Sequence, residues 1–276
     1  MRVLIIGAHP DDAEYHAGGT ARKYAEIGHQ VKFLSMTNGD AGHHDLRGPD
    51  LAERRRGESW AASVVAGADY QILNHHDAKL YPTIEVRDEL IGLIRTFDPA
   101  LVITHRPNDY HPDHRATSIA VQDAAYLLTV PAVVPREAPL ARVPVILYME
   151  DAFLKPAPFE ADVAVSIDET IAEKIEMLHC HASQFYEWVP HTKGELDRVP
   201  AEEEARKAWL AERVRDRARH TAERFRLVLE VLYGKREGER VKFAEAFEAC
   251  EYGQPLTAEN RRELFPFFDD RQTVLI

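Results

Sequence analysis

Four consecutive aliphatic residues, Val3-Leu4-Ile5-Ile6, end at Gly7 and run straight into Ala8-His9-Pro10-Asp11-Asp12-Ala13-Glu14. A run with no polar alternation suits a strand covered on both faces, as in parallel sheets packed between helix layers. Such a strand delivers whatever follows it to the carboxyl edge of the sheet, where ligands bind in open α/β folds. Here it delivers one imidazole and two adjacent carboxylates. The same grammar returns where Leu101-Val102-Ile103-Thr104 leads to His111-Pro112-Asp113-His114. A lone His-Pro-Asp is usually a turn with a helix cap. Two copies, each beyond an apolar run, point to a site.

Proline is well placed at the first position of a helix, so each histidine is predicted at or near a helix N-cap, with the residue three later returning to the same side. His9 with Asp12, and His111 with His114, then face one point. His9, Asp12 and His114 make a set of two histidines and one aspartate with a position left open, the pattern of a catalytic rather than a structural zinc. Asp11 and His111 are left to act on a water and on a carbonyl.

Short apolar runs alternate with longer amphipathic ones, which predicts a parallel sheet with crossover helices. Strands are expected near 2–7, 31–36, 70–73, 100–104 and 145–149, with helices near 17–27, 51–66, 84–97 and 113–128. In the common order 3-2-1-4-5 the first and fourth strands are neighbours, and both His-Pro-Asp phrases leave that pair. The predicted fold is α/β, a Rossmann-like doubly wound, mostly parallel sheet with a C-terminal helical extension. One domain is expected over 1–276, with its core in 1–150 and a less regular part in 151–276.

Beyond the fifth strand, prolines at 131, 135, 139 and 144 predict a loop. A strand is expected near 162–166 and a helix over 168–180. A long helix fits 201–233, because Leu210, Val214, Ala218, Phe225, Val228, Leu229 and Leu232 form one apolar stripe and Gly234 supplies a stop.

A net charge of −12 argues against nonspecific binding to nucleic acid or to an anionic membrane. Cys180 and Cys250 are the two cysteines, outside any Cys-x-x-Cys pair, and read as packing residues. With no cationic apolar leader and no stretch of transmembrane length, the expectation is a cytoplasmic protein with reduced thiols. Self-association into a homo-oligomer is left open.

These motifs resemble the LmbE-like, or PIG-L, family of metal-dependent N-acetylglucosaminyl deacetylases. The resemblance rests on Ala8 to Glu14, Gly18-Gly19-Thr20, Thr37-Asn38-Gly39-Asp40 and His111 to His114. It continues through Ile167-Asp168, Lys174, His179 and Ser183-Gln184, and Phe243-Ala244-Glu245-Ala246-Phe247. It implies that His9, Asp12 and His114 bind the metal, with Zn2+ expected and Fe2+, Co2+ or Mn2+ as alternatives. It makes Asp11 the general base and His111 the group that stabilises the oxyanion, with Asp113 holding a histidine in its working tautomer. Arg55, Glu58 and Asp77 match positions near the sugar. Arg54 and Arg56 flank Arg55; the spacing Ala52-x-x-Arg55-x-x-Glu58 favours the middle one, with either neighbour as the alternative contact.

The activity implied is removal of an acetyl group from a small-molecule N-acyl amino sugar or conjugate. Two other classes are weighed against it. A phosphoesterase would want a second carboxylate-rich metal cluster or a basic phosphate clamp, and neither is evident. A noncatalytic sugar-binding module would need neither Asp11 nor His111. A dinucleotide enzyme is disfavoured because no Gly-x-Gly-x-x-Gly follows the first strand. The pairs His43-His44 and His75-His76, together with Tyr110 and His179, are further candidates in or near the pocket, and His16 and His29 read as surface or capping residues.

Overall fold

The computed structural model describes residues 1–268. Its centre is a seven-stranded sheet with the order β3-β2-β1-β4-β5-β7-β6. The strands are β1 (Arg2–Gly7), β2 (Gln30–Thr37), β3 (Asp69–His75), β4 (Leu101–Thr104), β5 (Val145–Met149), β6 (Val163–Ser166) and β7 (Ala244–Ala249). The first five are parallel in the expected order 3-2-1-4-5, and β7 runs antiparallel between β5 and β6. The C-terminal part therefore adds helices, as expected, and also widens the sheet.

The unbroken apolar runs are explained by two cores. Val3, Ile5, Leu101 and Ile103 point to one face, where they meet Ala13, Ala17, Ala21 and Tyr24 of α1 (Asp12–Glu26) and Ala62 and Ala66 of α2 (Pro49–Ala66). Leu4, Ile6 and Val102 point to the other. There they meet Leu90, Ile91 and Ile94 of α3 (Ile84–Phe97) and Ala120, Val121 and Ala124 of α4 (Pro112–Ala125). Alternate residues of one strand thus feed opposite layers, each fully buried leucine or isoleucine contributing roughly 1.5–3 kcal/mol.

The next helices are α5 (Ile171–Cys180), α6 (Val189–Thr192), α7 (Glu203–Arg224) and α8 (Arg226–Tyr233), with a π-helical turn at Ser183–Trp188. The helix expected over 201–233 is broken at Phe225, whose φ of −108° and ψ of 30° leave the helical region. Its single apolar stripe serves two clusters. Leu210, Val214 and Ala218 pack with α5, whereas Ala222, Phe225 and Leu229 pack against Phe159 and Ala246. The break lets the chain turn from one cluster to the other.

Helix α1 lies close to the end of β6. A Cβ built on Gly19 would fall 2.6 Å from Cγ2 and 2.8 Å from Cβ of the fully buried Ile167, so α1 cannot approach with a side chain there. Beside it, Glu245 accepts the N–H groups of Gly19 (3.0 Å) and Thr20 (2.7 Å) and pairs with the buried Lys174 ammonium. Gly19→Ala is expected to destabilise the fold by about 1–3 kcal/mol through overpacking, measured as a lower urea midpoint with unchanged m.

Candidate metal and active site

Strands β1 and β4 are adjacent, and their carboxyl ends lie where the sheet reverses direction of winding. His9 stands two residues beyond β1 and His105 directly beyond β4. The two His-Pro-Asp phrases nevertheless differ locally. At α4 the expectation holds: His111 is the N-cap, Pro112 follows it, and His111 Nδ1 accepts the N–H of Asp113 at 3.2 Å. At α1 the N-cap is Asp11 rather than His9, with φ 121° and ψ −25°. Here Asp12 Oδ2 accepts the N–H of His9 at 2.8 Å, which folds the phrase back on itself before the helix starts. A non-glycine residue at such a φ costs on the order of 1–3 kcal/mol, and such strain concentrates at functional sites.

Three expected residues converge. His9 Nδ1 lies 3.4 Å from Asp12 Oδ2 and 3.3 Å from His114 Nε2, and His114 Nε2 lies 3.5 Å from Asp12 Oδ1. The outer ring nitrogens face other carboxylates. His9 Nε2 is 3.3 Å from Asp113 Oδ2 and 3.2 Å from Asp77 Oδ1, and His114 Nδ1 is 3.0 Å from Asp109 Oδ1, although without hydrogen-bond alignment. Assigning the ring protons to those outer contacts leaves His9 Nδ1, His114 Nε2 and the Asp12 carboxylate as electron-pair donors facing one another. Three acceptors turned toward one another call for a proton or a cation between them, and a metal competes with the proton for that place.

The cluster is larger than these three. Groups able to hold a metal ion comprise His9-His111-His114, Asp12-His105-His114 and His9-Asp77-Asp113, so His9 and His114 each belong to two sets. His105 stacks on His114 with ring centroids 3.9 Å apart, and its Nε2 accepts the N–H of Ala8 at 3.1 Å. His105 and Asp109 were not singled out from the sequence. The signal for His105 was present, since it directly follows the apolar run of β4. Asp109, which accepts the N–H of His111 at 2.9 Å, stands in a loop with no pattern to mark it.

The electrostatics separate the two groups meant for chemistry. Burial, and next the charge of Asp12, push the Asp11 carboxyl up to about 7. Burial, with His9 and His114 nearby, pulls His111 down to about 4. His111 is therefore a neutral imidazole near pH 7, and since Nδ1 accepts from Asp113, its proton sits on Nε2. Burial works against charge on His9, yet hydrogen bonds to Asp113, Asp12 and Asp77 outweigh it and raise its pKa. For Asp12 the burial penalty is likewise outweighed, by the charges of His114 and His105, and its pKa falls well below the usual range.

Arg55 and Asp77 are both nearly buried, at 2% and 5% exposure, and both are engaged inside the protein. Arg55 Nη2 donates to Gly42 O at 2.7 Å and to Gln184 Oε1, and Nη1 stands 4.0 Å from Asp77 Oδ2. Asp77 accepts the N–H of Gly42 at 3.0 Å. The pair thus fastens the loop after β2. Gly39 in that loop has φ 69°, and a Cβ there would meet Arg55 Cδ at 2.7 Å. Glu58, expected near a sugar, instead accepts the N–H of Ser183 at 2.9 Å.

The arginine triplet is resolved by its partners. Arg54 grips Glu187 and Glu58, whereas Arg56 is exposed and lies 3.9 Å from Glu53. Arg55→Ala is expected to lower kcat/KM about tenfold or more by loosening the site loop, while Arg56→Ala stays within about twofold of the parent. Steady-state kinetics on metal-loaded protein check this.

Most of the other candidate histidines pair with carboxylates, and His44 stacks between His43 and His191. His43 pairs with Glu187 at 2.8 Å, His75 with Glu89 at 2.9 Å and His76 with Asp40 at 2.6 Å. His16 is half-buried: it packs edge-on to His105, 5.9 Å between centroids, and burial with Arg217 nearby lowers its pKa. Between His179 and His181 it is His181 that enters the site's surroundings, bonded to Glu14 at 2.7 Å, while His179 bonds the hydroxyl of Tyr186. Tyr110 is 72% exposed beside the rings of His111 and His114. A cavity of about 750 Å3 lies at the opposite ends of the strands, around Arg2, Gln30 and Val145, away from this cluster.

Residues 4–125, which carry both phrases, match the family model described as PIG-L, GlcNAc-PI de-N-acetylase. Over those residues the chain is similar to the PIG-L (LmbE-like) family. Among similar curated proteins, diacetylchitobiose deacetylase of Thermococcus kodakarensis is 28% identical over 207 residues, 70% of this chain and 75% of that protein. The 4-oxalmesaconate hydratase of Pseudomonas putida is 23% identical over 203 residues, 71% of this chain and 78% of that protein. The solved structure of N,N'-diacetylchitobiose deacetylase from Pyrococcus horikoshii superposes with a TM-score of 0.70 at 23% identity, covering 91% of this chain and 84% of that one. At that identity the likeness speaks for the fold, which the two share beyond residue 125 as well.

Proposed function

We propose that this protein is a metal-dependent N-deacetylase acting on an N-acetylglucosamine-type sugar or conjugate, with His9, Asp12 and His114 as ligands. The observation that carries this reading is the convergence of those three acceptors beside a carboxyl held near 7 and a neutral imidazole with a free Nε2–H. The relatives named as deacetylases support the substrate class. Zinc is the expected metal, and the same donor set accepts iron, cobalt or manganese.

A divalent cation at these ligands supplies Lewis acidity, polarising the amide carbonyl and making water easier to deprotonate. Asp11 takes the proton of the attacking water, a transfer suited to a group whose pKa lies near the working pH. His111 donates its Nε2–H to the carbonyl oxygen as negative charge collects there. Asp11 then returns the proton to the departing nitrogen. The amide C–N bond breaks, and acetate and a free amine leave. Asp113, by holding His9 Nε2–H, keeps His9 Nδ1 free for the cation. Arg55 and Asp77 support the loop that would face the sugar.

The test is a panel of N-acetyl amino sugars and conjugates with protein reconstituted with Zn2+, Fe2+, Co2+ or Mn2+, reading free amine and acetate in equal amounts. Turnover that needs the metal supports the reading. The hydratase relative favours one competing reaction, addition of water, so 4-oxalmesaconate belongs in the panel. Turnover of that compound alone, with no amine released from any amide, would replace the deacetylase reading.

A further inference from the structure

We propose that Tyr70 and His181, acting through the carboxylate of Glu14, are positioning residues that hold Asp11 in the conformation its proton transfers require. The kinetic part of the inference rests on the deacetylase reading; the structural part does not. Asp11 sits at φ 121°, a region that residues with a Cβ avoid unless their surroundings impose it. One contact reaches its backbone from outside its own turn: the Asp11 N–H donates to the Tyr70 hydroxyl at 3.3 Å. That hydroxyl donates in turn to Glu14 Oε2 at 3.4 Å, and His181 Nε2–H donates to Glu14 Oε1 at 2.7 Å.

The three anchors come from separate parts of the chain. Tyr70 is on β3, Glu14 on α1, and His181 in the turn after α5. Glu14 is completely buried and His181 is 1% exposed. A carboxylate and an imidazole taken out of water at that depth demand each other as partners. None of the three residues belongs to the sets able to hold a metal ion, and His181 Nδ1 has no hydrogen-bond partner among the described residues. The ring is therefore committed to Glu14 alone. Glu14 orients the Tyr70 hydroxyl, and the hydroxyl satisfies the first unpaired N–H of α1 at the strained residue.

Tyr70→Phe removes one oxygen and keeps the ring against Phe33, 5.6 Å between centroids. Glu14→Gln keeps the shape and removes one acceptor oxygen. In metal-loaded protein each is expected to lower kcat about tenfold with KM within about twofold, and Tyr70→Phe with unchanged metal stoichiometry and Tm. The double variant is expected to lose no more than about the larger single loss, because the residues act as one unit. Crystal structures of both single variants are expected to show Asp11 displaced from its positive φ. An Asp11 unmoved in both crystals would overturn the proposal. So would kcat losses that multiply in the double variant, or that merely follow loss of metal or folded fraction. A parent protein with no deacetylase activity would count against the deacetylase reading alone, and the crystal structures would still decide the clamp.

Discussion

His9→Ala, Asp12→Ala and His114→Ala are each expected to lose bound metal and activity together, measured by elemental analysis after dialysis and by turnover. A site with three protein ligands cannot spare one. The three should differ in stability. His9 Nε2 stands between the buried carboxylates of Asp113 and Asp77, so its removal takes one partner from each and leaves Asp77 the Gly42 N–H and Asp113 the Ala78 N–H. That costs about 3–5 kcal/mol by the precedent of broken buried pairs. His9→Ala is therefore expected to show the lowest Tm of the set, and His9→Gln to recover part of the stability without the metal. Near-stoichiometric metal in all three alanine variants would remove these residues as ligands and shift attention to His105 and His111, which share the cluster.

Asp11→Asn should leave metal content unchanged and lower kcat roughly a hundredfold to ten-thousandfold, the range for a positioned general base. The physical ground is that burial and the adjacent Asp12 charge hold this carboxyl near 7, where it can both take and give a proton. The amide of asparagine does neither. Asparagine also tolerates positive φ better than most residues, so the variant tests the proton rather than the backbone. Near-normal turnover in a metal-loaded, folded Asp11→Asn protein would assign the base to another group.

What could be read in advance depended on which interaction carries each feature. The strand order was legible because β1 and β4 show unbroken apolar runs, and burial on both faces is written locally in the residues themselves. The meeting of His9, Asp12 and His114 followed from that order, since parallel neighbours deliver their successors to the same edge. The helix at 201–233 was read too simply, because one continuous stripe gives no notice that its two halves pack on different clusters. The N-cap of α1 lies two residues past His9, because Asp12 Oδ2 accepts the N–H of His9 and that turn shifts the cap to Asp11.

Long-range partners were beyond reach for the same reason. Arg95 looks like an ordinary helical arginine, yet it is 5% exposed and its guanidinium donates to carbonyls of Leu127, Leu128, Val130, Val133, Val134 and Glu137, fastening the proline-rich loop. His181 and His179 carry equal weight as letters, and only the burial of Glu14 selects between them. By itself the sequence determined the five parallel strands, their order, and the two phrases brought to one edge, because apolar periodicity and the geometry of parallel crossovers are properties of contiguous residues. The tertiary structure decided which nitrogen of each histidine faces inward, how Asp77 and Arg55 are spent, and what holds Asp11 at φ 121°. Those outcomes depend on hydrogen bonds between residues far apart in the chain, whose energies exist only once burial has removed the competing water.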